Sequence, residues 1–316
     1  MHIAVVGAGI GGLTAAIGLA RAGHEVTVLE RDDTPMPADV EGAFAWERKG
    51  APQVRHTHGF PALIRATLRD RFPDVLDALR DAGVGEVSIL PESVTPDMPN
   101  YARDFDDLHV LSARRTTLEW VLRRGALAEV GVRFETGDSV EGLDDPRLAD
   151  ADAIVAATGR RDNVPGWLAA RGITIHEEEH PTGTIYLSRF YRATDDVPMG
   201  YRGGRRAGIG FVLAGADNGT YSATLAVPSD DAELRAHLLV EASFEAALPL
   251  FREMAPVVAR QGQPITDVQT MGGLINRLRV FVDADGEPLA PGFFAIGDAH
   301  TCTNPCLLYT SPSPRD

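Results

Sequence analysis

His2-Ile3-Ala4-Val5-Val6-Gly7-Ala8-Gly9-Ile10-Gly11-Gly12 opens the chain, and Glu30 closes a second apolar run eighteen residues after Gly12. Ile3 to Val6 read as a buried strand, Leu13 to Ala22 as a helix, and Glu25 to Leu29 as the next parallel strand. Gly7 permits a tight turn, Gly9 lets backbone approach a diphosphate, and Gly12 lets the helix pack close to the strand. A diphosphate would then rest on free N–H groups at the positive end of that helix. Glu30 can accept hydrogen bonds from a ribose, and its charge disfavours a 2′-phosphate, which points to FAD or NAD rather than NADP. The candidate nucleotide-binding residues of this segment are Gly7, Gly9, Gly11, Gly12, Glu30 and Arg31.

The other end reads differently. Residues 306–316, Cys306-Leu307-Leu308-Tyr309-Thr310-Ser311-Pro312-Ser313-Pro314-Arg315-Asp316, match the translation of a transposase sequencing adapter at all eleven positions. Such a tail is excluded from fold reasoning. Its presence implies a truncated chain whose natural sequence continued past Pro305.

Composition narrows the class. The chain has 316 residues, 44% of them hydrophobic and 24% charged, which suits a soluble α/β protein of one large or two smaller units. A formal net charge of −15 argues against a nucleic-acid surface and against docking on anionic lipid. No apolar run reaches the length of a membrane span, and no secretory signal precedes the glycine turn. Outside the suspect tail Cys302 stands alone, so no internal disulfide is expected and a reducing cytoplasm fits.

Further along, residues 32–61 are polar and irregular, and residues 62–83 carry a helical pattern through Leu63, Leu68, Phe72, Leu76 and Leu79, interrupted at Pro73 and ended by Gly83. Residues 84–110 are mixed, with Pro91, Pro96 and Pro99. Thr116 to Ala128 read as an amphipathic helix with Leu118, Val121, Leu122 and Leu127 near one face. Val132 to Glu135 and Ala151 to Ala157 read as strands. From about residue 166 the pattern changes. Thr184 to Arg192, Ile209 to Leu213 and Tyr221 to Val227 alternate, with a hairpin turn expected over Gly215 to Gly219. Pro228 to Met254 read as helical, residues 274–283 as a strand, and Gly292 to Asp298 as a buried strand ending in Gly297-Asp298.

Three separated motifs now agree: the glycine turn with Glu30, Asp152-Ala153-Ile154-Val155-Ala156-Ala157-Thr158-Gly159-Arg160-Arg161, and Gly292 to Asp298 with Ala299-His300-Thr301-Cys302-Thr303-Asn304-Pro305 after it. In this order they resemble the FAD-dependent monooxygenases similar to para-hydroxybenzoate hydroxylase. Segments around Gly50–His58, Arg114–Glu119 and Tyr186–Arg192 look nearest to bacterial epoxidase-like FAD-dependent oxidoreductases. The resemblance implies an α/β fold: a Rossmann-like FAD-binding domain over 1–165 and 291–305, with an antiparallel-sheet substrate domain inserted over 166–290. It implies that Asp298 binds the ribityl chain and that Gly297 allows close backbone approach. The chain departs from the family at Thr158 before Gly159, and at Asp162-Asn163 where a serine is usual.

The same resemblance makes Arg115 a flavin contact, with Arg114 the competing choice, and places Arg48 and Gln53 in a loop over the flavin and diphosphate. His56 and His58 are two apart and would share a side if extended, facing flavin or substrate. Without a third ligand they do not suggest a metal, and no metal site is expected. Tyr186, Ser188 and Phe190 share one strand face, and Arg189 and Tyr191 the other; one of the two lines a substrate cavity, so Tyr186 and Arg189 are both candidates. Tyr191 and Phe211 read as core. His176 and His180 flank Glu177-Glu178-Glu179, a solvated edge.

The function implied is a flavin monooxygenase. NAD(P)H would serve as transient electron donor, and one oxygen atom of O2 would pass through a flavin hydroperoxide to a small apolar organic substrate as an epoxide or hydroxyl. The alternatives are an FAD-dependent reductase or dehydrogenase of an isoprenoid-like molecule, and an inactive fragment. A halogenase is disfavoured, because the W-x-W-x-I-P segment is missing and Trp46, Trp120 and Trp167 are isolated. No protein partner is indicated.

Overall fold

Strand β1 (His2–Val6) is buried on both faces, and this sets what surrounds it. Ile3 and Val5 enter one apolar core, and Ala4 and Val6 enter another. A strand covered twice belongs inside a parallel sheet with helices on both sides. The computed structural model, which describes residues 1–48, 50–88, 107–194, 202–255 and 262–304, has that arrangement. Helix α1 (Ile10–Arg21) returns the chain to β2 (Glu25–Glu30), parallel to β1 with Ala4 beside Thr27.

Helices α2 (Val40–Phe44), α3 (Ala62–Arg71) and α4 (Pro73–Asp81) follow, the last two divided at Pro73 as the sequence implies. A small hairpin of β3 (Gly85–Ser88) and β4 (His109–Ser112) leads into helix α5 (Arg115–Ala128). Strands β5 (Val132–Thr136) and β6 (Ala153–Ala156) extend the sheet on its two sides. Helix α6 (Val164–Ala169) then covers the second face, so Trp167 and Leu168 join the core of the parallel sheet beyond the boundary expected at 165.

The inserted unit is antiparallel. It joins β8 (Thr184–Arg192), β9 (Arg202–Arg206), β10 (Ile209–Gly215) and β11 (Thr220–Pro228) with the short β12 (Gln263–Pro264) and β13 (Gln269–Met271). The β10–β11 turn is the expected one, with Asn218 and Gly219 at φ of 54° and 66°. Helices α7 (Ala232–Leu238) and α8 (Glu241–Ala247) cover the outer face, where Tyr191 and Phe211 lie in the core. A third sheet, of β7 (His176–Pro181), β14 (Ile275–Val280) and β16 (Thr301–Cys302), was not expected. Strand β15 (Phe293–Ala295) completes the parallel sheet beside β6. Pro91, Pro96, Pro99 and the tail 306–316 lie outside the described residues.

Three expectations need correction. Leu127 is half exposed: nine residues past Leu118, at 100° each, it points away from the buried stripe. Leu63 is exposed because Ile64 and Leu68 carry the inward face of α3. The strand before Gly297-Asp298 is a sheet edge of three residues rather than a buried one, and Phe294 is 56% exposed. Among the described residues, no helix is long and apolar enough to cross a membrane.

The parallel and antiparallel units meet on a buried ion pair. Arg114, at the start of α5, donates from Nε to Asp217 in the β10–β11 turn at 2.8 Å, and its backbone N–H donates to the same carboxylate at 2.6 Å. The guanidinium also stacks 4.9 Å from the Phe44 ring. Both partners are almost fully buried, so breaking the pair leaves an uncompensated charge. Asp217→Ala should therefore lower unfolding free energy by about 3–5 kcal/mol, read from urea melts, and Arg114→Met in the same chain should recover part of that loss. A loss below about 1 kcal/mol would refute this view of the joint.

Candidate functional site

The end of β1 is shaped by glycine. Gly7 has φ of +106°, and a Cβ there would lie 2.5 Å from the Ala157 carbonyl oxygen on the neighbouring strand. A Cβ on Gly12 would lie 1.9 Å from the Gly7 carbonyl oxygen, so only glycine lets α1 start this close to the turn. Gly9 is the N-cap of α1 without a side-chain cap, and a Cβ there would meet only open space. The first-turn N–H groups of α1 have no intrahelical acceptors.

A cleft of about 390 Å³ opens at this turn. It is lined by Gly7, Gly9, Glu30, Arg31, Arg48, Gln53, Arg115 and Gly159, eight of the residues expected to hold a nucleotide. Gly12 lies beneath the turn rather than on the cleft wall. Gly11 faces a late segment of the chain: a Cβ on it would stand 3.9 Å from Ile296 Cδ1. Gly297 and Asp298 follow Ile296 in the chain, but neither is among the residues that line the cleft.

The sequence reading missed Asp138, Ser139, Val140 and Glu141, which also line the cleft. A signal for them existed. They follow β5, which pairs with β2 so that Thr136 stands beside Glu30, and ligands gather at the carboxyl ends of such strands.

A buried charge network lies under the turn. Glu30 accepts from Ala8 N–H at 2.8 Å and Asp32 N–H at 2.9 Å. Arg48 donates to the Ala8 carbonyl at 3.1 Å, approaches Glu30 at 3.4 Å, and donates from Nε to Glu119 at 2.8 Å. Its guanidinium also lies 4.9 Å from the Trp46 ring. Both polar groups of the Ala8 peptide are thus held by side chains. A carboxylate has about four acceptor sites, so Glu30 keeps capacity for a ribose hydroxyl.

The adjacent arginines occupy different places. Arg114 is committed to Asp217. Arg115 lines the cleft; its Nη1 stands 3.4 Å from His58 Nε2, and its Nε, buried, has no hydrogen-bond partner and lies 3.6 Å from Glu119. Asp298 is exposed by area, yet neighbouring protein atoms displace part of the water around its carboxyl. That desolvation raises its carboxyl from the ordinary value, while Arg115, Arg160 and Arg277 pull it back. The departure at Asp162 has a structural role: it accepts from Thr158 Oγ1 at 2.9 Å and from Arg279 of β14 at 2.6 Å.

The face of the antiparallel sheet turned toward the parallel unit carries Tyr186, Ser188 and Phe190. Ser188 Oγ is 3.0 Å from His56 Nδ1, and Phe190 meets Phe44 edge-on with ring centres 5.7 Å apart. Thr57 donates to Ser222 at 2.7 Å, and Ser188 and Thr224 are joined at 2.7 Å. Tyr186 donates to Asn304. Arg189 lies on the opposite face, where it binds Glu241 at 2.7 Å, Glu245 at 2.9 Å and the Thr266 carbonyl at 2.8 Å. The substrate-lining place expected for Arg189 is therefore corrected: strand alternation turns it toward α8. His176 to Pro181 are exposed, as a solvated edge should be, though they form a strand paired with β14.

Burial lowers His56 to about 4, with a backbone hydrogen bond to Thr270 acting the other way. His58 is lowered to about 3, first by burial and then by the Arg115 charge. Both rings are neutral near pH 7.

The comparisons fit this geometry. Residues 5–79 match the NAD(P)-binding Rossmann-like domain. The chain is 28% identical over 227 residues to Rv3254 of Mycobacterium tuberculosis, covering 62% of this chain and 46% of the relative. It is 30% identical over 207 residues to kynurenine 3-monooxygenase of Salinispora arenicola, covering 64% of this chain and 42% of the relative. The chain thus spans less than half the length of these two proteins. Among solved structures it resembles PqsL, a probable FAD-dependent monooxygenase from Pseudomonas aeruginosa, with a TM-score of 0.64 at 16% identity, over 97% of this chain and 81% of that one. The flavin-dependent halogenase CmlS has a TM-score of 0.67 at 14% identity, over 98% of this chain and 54% of that one. Residues 5–79 carry an NAD(P)-binding Rossmann-like domain, and the chain as a whole has the fold seen in PqsL and CmlS.

A pH dependence follows from the two histidines. Their protonation is weaker in the fold than in the unfolded chain, so their contribution to stability is complete above about pH 6.5 and is lost as pH falls toward 4. His56 alone should account for a loss on the order of 3 kcal/mol between pH 7 and 4. Urea unfolding across that range should show a shallower decline for His56→Gln; an unchanged slope would contradict a buried neutral His56.

Proposed function

We propose that the chain binds FAD along the cleft and belongs to a monooxygenase that transfers one oxygen atom of O2 to a small organic molecule. The observation that carries the reading is that one cleft gathers the glycine turn, Glu30, Arg48, Gln53, Arg115 and Gly159 from separate parts of the chain, while Ile296, just before Gly297-Asp298, comes near the start of α1. A plain dinucleotide domain needs only the glycine turn and Glu30. The residues present fit the cofactor: Gly9 leaves open space at an uncapped helix start, and Arg115 holds a buried Nε without a partner.

In this reading the first-turn N–H groups of α1 take the diphosphate, Glu30 takes a ribose hydroxyl, and Asp298 takes the ribityl chain. Gln53, Arg115 and Gly159 border the remaining length of the cleft. Bound FAD would supply the electron and oxygen chemistry, with NAD(P)H as transient donor. The protein contributes orientation and the exclusion of water. The substrate would lie between the cleft and the sheet face bearing Tyr186 and Phe190, whose neighbouring hydroxyls are already bonded to one another. His56 and His58, neutral near pH 7, serve there as hydrogen-bonding groups. PqsL, which shares the fold, has been solved with 2-aminobenzoylacetate, a precedent for a small organic ligand. The parallel unit, carried through Ala169 and completed by β15, would hold the cofactor, and the antiparallel unit the substrate. Cys302, a buried free thiol, fits a reducing cytoplasm.

Two measurements test this. Gly9→Asp supplies a favourable N-cap, and its Cβ would meet only open space, so thermal stability should hold or rise. The same carboxylate repels a diphosphate, so FAD affinity should drop by about a hundredfold or more. Equal affinity would overturn the placement of the diphosphate. Turnover with 18O2 should put one labelled atom into product; turnover without label would favour the reductase or dehydrogenase alternative.

A further inference from the structure

We propose that His58 is a positioning residue that holds Arg115 toward the cleft by accepting a hydrogen bond from its guanidinium. The inference rests on the FAD reading, since Arg115 matters here as a cleft residue facing the cofactor.

The argument is one of donors and acceptors. His58 Nδ1 lies 2.9 Å from the His56 carbonyl oxygen. A carbonyl only accepts, so Nδ1 carries the proton. In the neutral ring Nε2 is then a bare acceptor. That atom stands 3.4 Å from Arg115 Nη1, a group that can only donate. The backbone of His56 thus selects the tautomer, and the tautomer selects the partner. His56 is itself held at 3.0 Å by Ser188, and the His58 ring lies against Phe60 with ring centres 6.2 Å apart. The acceptor is fixed from both sides.

Arg115 needs such a partner. Its Nε has none, and Glu119, fixed on Arg48 through its other oxygen, stands off at 3.6 Å. Thus His58 restrains one edge of the guanidinium and Glu119 faces another. A protonated His58 would turn Nε2 into a donor and repel Arg115; the low value of about 3 keeps the acceptor at physiological pH. His58 therefore acts through Arg115 and does not shuttle protons.

The test is FAD binding to the whole chain, followed by flavin fluorescence, for His58→Leu, His58→Gln, Arg115→Leu and the His58→Leu/Arg115→Leu pair. His58→Leu should weaken FAD about five- to tenfold. His58→Gln, whose amide oxygen can stand where Nε2 stood, should stay within about twofold of wild type. In the Arg115→Leu background, His58→Leu should change nothing further, an outcome that a general packing defect would not give. If the leucine variant does not fold by circular dichroism, His58→Phe, closer in shape beside Phe60, carries the same comparison. Wild-type affinity in His58→Leu, or the same loss with and without Arg115, overturns the proposal. A wild-type chain that takes up no FAD overturns the flavin reading instead.

Discussion

The site depends on one steric constraint: the start of α1 lies directly against the carbonyl of Gly7. No side chain fits at Gly12, 1.9 Å from that oxygen, and none at Gly7, 2.5 Å from the oxygen of Ala157. These contacts fix where the helix begins and how near β6 stands to β1. From β6 the chain passes to Asp162, which ties the parallel unit to β14 through Arg279. Beyond β6 lies β15, which delivers Asp298. The crevice is therefore a consequence of two missing Cβ atoms.

Charge does the finer positioning. Arg48, Glu30, Asp32 and Glu119 are removed from water together, and desolvation offsets much of their mutual attraction. What the network supplies is direction. It binds both the N–H and the carbonyl of Ala8, so the turn presents its remaining amides one way. Arg114 and Asp217 do the same for the two units, joining residues far apart in sequence at the mouth of α5. Neighbouring Arg115 is thereby left for the cleft.

Much of this was legible in the residues. The glycine spacing with Glu30 fixed β1, α1 and β2, and the alternation over Thr184–Arg192 marks β8 with the same limits that the structure has. The failures have physical causes. Arg114 and Arg115 both open one helix, and only Asp217, remote in sequence, distinguishes them. Tyr186 and Arg189 lie on opposite faces, and a strand covered on both sides does not show which face meets the cleft. Strand β7 reads as surface because His176-Glu177-Glu178-Glu179-His180 holds no apolar alternation. It is held partly by ion pairs, Glu177 to Arg279 at 2.5 Å and Glu179 to Arg277 at 4.0 Å, which a search for hydrophobic periodicity does not detect. The triad of His58, Arg115 and Glu119 was invisible for the same reason: it consists of polar contacts between separate segments.

The central claim is that a flavin dinucleotide lies on the uncapped start of α1 with Asp298 beside it. The most direct test is amide NMR on the isotope-labelled chain titrated with FAD. The account predicts that the N–H resonances of Ile10, Gly11, Gly12 and Asp298 move together, saturating at one concentration, with ADP moving the first three alone. Saturable FAD binding that leaves Ile10 to Gly12 unmoved, or shifts them without Asp298, would contradict it.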